Sequence, residues 1–282
     1  MTGEIGYPVR TEYEQIGIKD LDEEQLFQAI LTAGEAWTED ERARVVAAYD
    51  LARYAHRDDK HRDLPYTYHL LRNANRITQY LHLTNPDLII GIILHDAVED
   101  HPEDVIRYDP AAESGYHMQM QVPENPIEKQ RLAFENIGRR FSYRASRLVA
   151  GMTNPPPGPG PRPPRGERLR IYVSHVAVEI EDPDVFFLKW SDWADNGLGI
   201  VHSSEDLEPE REEGFKEKYG LVMPVLEARF YRPDIQAILD AVARENVMRS
   251  FELAHERLII PVAAGSLAIS GEHLDRTRQA AN

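Results

Sequence analysis

The run Leu88-Ile89-Ile90-Gly91-Ile92-Ile93-Leu94 leads without a break into His95-Asp96-Ala97-Val98-Glu99-Asp100, and this junction narrows the folds open to the chain. An uninterrupted apolar run belongs in a core, whereas groups that bind metal or carry protons do not belong there unless something compensates them. At 3.6 residues per turn the junction reads as one helix. His95 then lies a turn from Glu99, and Asp96 a turn from Asp100, so all four share adjacent strips of one surface. Carboxylates carried out of a core in this way call for a cation or a network of ion pairs.

The start of that helix is also written in the sequence: Asn85 can cap it, Pro86 suits its first turn and Asp87 favours the positive end of the dipole. The helix is therefore expected to begin near Pro86 and to present the polar cluster in its last turns. Upstream, short apolar pairs predict a helix over about 22–33. Thr38-Glu39-Asp40-Glu41 fits a capping box that opens a helix running to about His56. The charged stretch Arg57 to Pro65 reads as a loop, and helical periodicity resumes from Tyr66 to Leu83 with His69 beside the apolar face.

Downstream, His101 to about Glu128 reads as a surface excursion, and Leu132 to Val149 as one helix stopped at Gly151. Proline and glycine dominate Asn154 to Gly166, and Arg162, Arg165, Arg168 and Arg170 there and just beyond are expected in a solvated flexible loop. Asp182-Pro183-Asp184 repeats the capping pattern and opens Val185 to Asn196, a second buried helix on which Asp192 and Asn196 share a face, with Trp190 and Trp193 in the core. Ser203 to Lys218 is highly charged and expected in solvent, followed by amphipathic helices near Tyr219–Phe230 and Pro233–Leu258 and a frayed tail. No strand pattern of useful length occurs, so the fold class is all-α. The organisation is a single domain over 1–282: a core of about 38–200, a C-terminal helical extension of about 201–269 and a tail, 270–282.

Composition removes several alternatives. The absence of cysteine leaves imidazole and carboxylate as metal ligands, and a net charge of -16 argues against general nucleic-acid binding. No basic leader followed by an apolar run opens the chain, and the run at 88–94 is far shorter than the roughly 20 residues of a membrane span, so a cytoplasmic protein with no membrane association is expected. Three helices nevertheless each offer donors: His69, the pair His95 and Asp96, and Asp192. Such a nitrogen and oxygen set suits one divalent first-row ion, Mn²⁺, Fe²⁺ or Zn²⁺, which lowers the pKa of its bound water from ~16 toward ~7.

The ordered segments Ala55-His56 with a basic loop and Pro65-Tyr66-Thr67-Tyr68-His69, then Leu94-His95-Asp96-Ala97-Val98-Glu99-Asp100, Arg147 to Thr153, and Leu188 to Asn196 carry a resemblance. Over about residues 42–200 the chain resembles the HD superfamily of metal-dependent phosphohydrolases, and within it the hydrolase domain of RelA/SpoT homologues and the small alarmone hydrolases. The resemblance implies Mn²⁺ held by His69, His95, Asp96 and Asp192, with Glu99 and Asp100 as the catalytic acidic pair. It also implies substrate contacts from Arg57, Lys60 or Arg62 in the basic loop and from Asn196. The implied reaction is hydrolysis of the 3′-pyrophosphate of (p)ppGpp, the alarmone of the stringent response, releasing pyrophosphate. The implied partners are that nucleotide and a cognate alarmone-synthesising toxin. Two rival expectations stand beside it: another HD-family nucleotidase or phosphodiesterase, and a non-catalytic regulatory or antitoxin protein. The chain departs from the family pattern at Trp193, where arginine is usual, and at Asp195, where histidine is common. Both changes are expected to remove positive charge beside a polyanion site.

Overall fold

A computed structural model describes residues 21–61, 64–108, 121–156, 161–198 and 209–258, and within these the chain is all-α. Helices α1 (Glu23–Ala33) and α2 (Glu39–Ala55) open on reciprocal capping boxes at Asp22/Gln25 and Thr38/Glu41; the second is the one the sequence predicts, and the first adds a cap to the helix expected over about 22–33. Two-residue strands β1 (Lys60–His61) and β2 (Leu64–Pro65) pair antiparallel in the loop that follows. They are a small addition to the loop expected there. Helix α3 (Thr67–Asn75) then carries His69 and continues into a π-helical segment, Arg76–Tyr80.

Helix α4 (Pro86–Ile93) is the centre of the molecule. It packs on α2 and α3, on α8 (Tyr143–Met152) and on α10 (Pro183–Trp193), and Leu88 to Ile93 are all buried. The expected continuous helix through Asp100 is not what forms. The chain turns at residues 94–96 and resumes as α5 (Ala97–Asp100). The cause is local: His95 Nδ1 lies 2.7 Å from the Ile92 carbonyl, the acceptor that the Asp96 amide would use in an unbroken helix. The side chain thus closes the end of α4 and turns itself back toward the core.

Helices α6 (Pro102–Arg107) and α7 (Pro126–Arg140) flank the gap at 109–120, which lies outside the described residues. The single helix expected over 132–149 is divided between α7 and α8, because the Ser142 hydroxyl accepts from the Ala145 amide and caps a new start, and α8 runs on through Gly151. Helix α9 (Arg165–Glu179) replaces the loop expected around the arginines. Arg168 donates to the Pro163 carbonyl at 2.8 Å and Arg165 pairs with Glu217.

After α10 a second π-helical segment, Ala194–Leu198, carries Asp195 and Asn196. Helix α11 (Pro209–Phe230) takes in half of the stretch expected in solvent, and α12 (Pro233–Ile238) and α13 (Ala241–Arg257) complete the described chain. The expected tail lies outside it. One hydrophobic core joins Leu26 and Ile30 of α1 to Phe251 and Ala254 of α13, with Trp190 and Trp193 inside it as expected. Among the described residues no helix is long and apolar enough to cross a membrane.

Candidate functional site

Three of the four sequence-predicted ligands, His69, His95 and Asp192, gather between α3, the α4–α5 turn and α10 closely enough to share an ion, and Asp96 stands beside both rings. His95 Nε2 lies 2.8 Å from Asp96 Oδ2 and 3.5 Å from Asp192 Oδ1, and His69 Nε2 lies 3.2 Å from Asp192 Oδ1 and 3.6 Å from Asp96 Oδ2. Two ligands ~2.1 Å from a common ion stand roughly 3.0 Å apart at a right angle and roughly 3.4 Å apart at a tetrahedral one. The observed edges fall around these values, so the donor set fits one divalent ion. A further observation agrees: His95 Nε2 is buried and lacks a hydrogen-bond partner of acceptable geometry.

Electrostatics favour positive charge at the same point. Burial pulls the His69 imidazolium pKa down, but Asp192, Asp195 and Asp96 outweigh it and push it up to about 10. His95 is likewise raised against burial by Asp96 and Asp192. Burial opposes ionisation of Asp96 and Asp192, and the two imidazoliums overcome it and hold both carboxyls below the usual range. The cluster thus attracts cations, whether protons on the rings or a metal that displaces them.

Each ligand is oriented from behind. His95 is fixed through Nδ1 on the Ile92 carbonyl, which leaves Nε2 for the cluster. His69 Nδ1 lies 2.7 Å from Asp195 Oδ2, which turns Nε2 toward the cluster, where Asn73 Nδ2 also lies 3.2 Å from it. Tyr66 donates its hydroxyl to Asp96 Oδ2 at 2.7 Å, and Asn196 Nδ2 donates to Asp192 Oδ1 at 2.7 Å. Asn196, expected as a substrate contact, therefore engages a ligand, and its Oδ1 lies 3.3 Å from His61 Nε2.

The acidic pair stands one turn on; both residues present surface to solvent, while the Asp100 carboxyl itself is partly enclosed. Glu99 accepts from the Asn154 backbone amide at 2.9 Å and from its side chain at 3.0 Å. Burial, then the charges of Asp96 and Glu99, push the Asp100 carboxyl up to about 6. A cleft of about 280 Å³ opens beside the pair, walled by Pro102, Pro126, Pro155 and Pro156. Its cation, Lys129, is paired with Glu103.

The basic loop is arranged differently from expectation. Arg57 donates to Asp104 at 2.9 Å and to the Tyr54 carbonyl at 2.6 Å, Lys60 is exposed, and Arg62 lies outside the described residues. Nearby, Asp59 Oδ2 lies 2.8 Å from His56 Nδ1 and 2.5 Å from His101 Nε2. A single carboxylate oxygen that close to two ring nitrogens is a hydrogen-bonded clasp, although three donors gathered there resemble a metal site.

Asp195 does not stand on the ligand side, and Trp193 lies in the core as expected. Asp195 is buried behind His69, where Arg72 and Arg76 hold it, and the Trp193 indole donates to the Tyr219 carbonyl at 3.1 Å inside the core. The Lys218 ammonium lies 4.6 Å from the Tyr172 ring centre. Burial and the charges of Asp192, Glu99 and Asp96 raise the Tyr172 phenol. The chain matches no family model and no curated protein.

Proposed function

We propose that the chain is a divalent-metal-dependent phosphohydrolase of the HD type. Within that class we read it as a 3′-pyrophosphohydrolase acting on (p)ppGpp or a close relative. The observation that carries this reading is the gathering of His69, His95 and Asp192, with Asp96 beside both rings, one turn before the carboxyl pair Glu99 and Asp100. His69, His95, Asp96 and Asp192 would hold a Mn²⁺, Fe²⁺ or Zn²⁺ ion, which would supply a water of lowered pKa and charge stabilisation at a phosphoryl oxygen. Tyr66 and Asn196 keep the two aspartates directed at the ion, and the Ile92 carbonyl keeps His95 in the required tautomer. Glu99, steadied by Asn154, takes the proton of the attacking water. Asp100, its carboxyl raised to about 6, holds a proton in a minor fraction of molecules at neutral pH and gives it from that form to the leaving oxygen.

Manganese-loaded protein incubated with ppGpp, ppApp and RNA bearing a 3′-pyrophosphate is expected to release pyrophosphate from at least one of them, with Asp96→Ala folded and inactive. Protein shown to hold metal that releases none would refute the reading. One observation favours the second reading, a nucleotidase or phosphodiesterase: among the described residues, Arg57 of the basic loop and Lys129 of the cleft are both paired with acids rather than left to a polyphosphate. Faster turnover of 5′-nucleotides or cyclic dinucleotides than of 3′-pyrophosphates would select it.

A further inference from the structure

Behind His69 lies a group of charges that the proposed chemistry does not use. Asp195 is 2% exposed, Arg72 5% and Arg76 0%. The Asp195 carboxylate accepts from Arg72 Nε and Nη2, both at 2.8 Å, lies 2.7 Å from Arg76 Nη1, and lies 2.7 Å from His69 Nδ1. Arg76 opens the first π-helical segment and Asp195 sits in the second, so their ion pair joins the two widened turns that follow the ligand-bearing helices.

Such a group is costly. Replacing buried ion triads by apolar side chains is often neutral or stabilising, so stability alone does not account for one. Arg76 makes the point sharper, because its Nε and Nη2 are buried with no hydrogen-bond partner. Two guanidiniums on one carboxylate leave an excess of one positive charge. The carboxylates across His69, Asp96 and Asp192, offset it.

The group also reaches round to the other ligand helix. Arg72 Nη2 lies 3.3 Å from His61 Nδ1, His61 stacks on His69 at 4.7 Å between ring centres, and His61 Nε2 meets Asn196, which donates to Asp192. One connected path therefore runs from Asp195 through Arg72, His61 and Asn196 to Asp192, while Asp195 itself holds His69.

We infer that Asp195, seated on Arg72 and Arg76, is a positioning residue that fixes His69 directly and Asp192 through His61 and Asn196, and so sets the affinity of the cluster for a divalent ion. The inference rests on the proposed metal site and goes beyond it, because it assigns affinity to residues that touch neither metal nor substrate. Lost outer-shell partners of metal-ligating histidines typically weaken metal binding by roughly 10–100-fold.

Mn²⁺ titration followed by calorimetry and by the electron-spin resonance of free Mn²⁺ tests this, with thermal melts as the check on folding. Asp195→Asn is expected to weaken Mn²⁺ by roughly 10–100-fold. Asp195→Glu keeps the charge but displaces the acceptor, and should weaken it too. Because Asp195→Asn strands two buried guanidiniums, the pair Asp195→Asn with Arg76→Met removes one charge of each sign and is expected to fold with the same weakened affinity. Wild-type affinity in that pair overturns the inference, as does wild-type affinity in a folded Asp195→Glu. Wild-type protein that binds no Mn²⁺, Co²⁺ or Zn²⁺ refutes the metal site itself, a different failure from intact binding in the variants.

Discussion

At the scale of single residues, Asp100 combines two opposed demands. Burial and the neighbouring acids raise its carboxyl to about 6, against ~4 in an unfolded chain. The folded protein therefore keeps a proton that the unfolded chain releases between these values, and stability falls as pH rises through that window. Above it the carboxylate destabilises the fold; below pH ~4 both states are protonated and the effect vanishes. Asp100→Asn should thus raise the melting temperature of chelator-treated protein at pH 7.5 by roughly 2–4 °C and leave it unchanged near pH 4. The same variant should lower kcat by roughly 10²–10⁴-fold. An unchanged melting temperature at pH 7.5 would contradict the raised pKa. His95, Asp96 and the acidic pair stood out in the sequence because they fall within six positions at the end of one apolar run, whereas His69 and Asp192 were single donors on other predicted helices. Asp195 was not, because its meaning depends on Arg72, 123 positions away. Read alone, a carboxylate at that position is a lost positive charge; read with its arginines, it is an anchor.

At the scale of the helix, the turn at residues 94–96 separates what periodicity can tell from what it cannot. The apolar run and the Asn85 cap specify α4, but the turn depends on a ring nitrogen competing with a backbone amide for the Ile92 carbonyl. Helix α9 was hidden for another reason. The proline-rich segment before it overrides the propensity signal, and the α9–α11 packing that stabilises it is non-local. The precise seat of α4 gives a second prediction. A Cβ on Gly91 would meet Leu148 Cβ at 2.9 Å and Leu188 Cδ1 at 3.2 Å, where α4 passes α8 and α10. Alanine gains ~1 kcal/mol in helix propensity, yet overpacking costs ~1–3 kcal/mol and should win. Gly91→Ala is expected to lower the urea midpoint and, by shifting the end of α4, to weaken Mn²⁺ binding as well. A midpoint at or above wild type would show that the contact relaxes freely.

At the scale of the molecule, the C-terminal helices belong to the site although they carry none of its ligands. Helix α10 bears Asp192 on one side, and on the other its Trp190 indole donates to Ser250 Oγ of α13 at 2.9 Å and the neighbouring Trp193 to the Tyr219 carbonyl of α11. Both indoles are almost fully buried, and the core runs from α1 to α13 without a break. Detaching α11 and α13 would leave two tryptophans facing water and the ligand helix without support, so these elements should unfold together. Trp37, at the start of α2 with its indole on the Thr84 carbonyl, is the third tryptophan of the chain. In Trp37→Phe the fluorescence reports the seam between α10, α11 and α13 alone, and far-UV circular dichroism reports every helix. The urea midpoints of the two signals are expected to coincide, as a single cooperative unit requires. A fluorescence change that precedes the loss of helicity would instead make the C-terminal helices a separable domain, and Mn²⁺ affinity would then persist after the seam has opened.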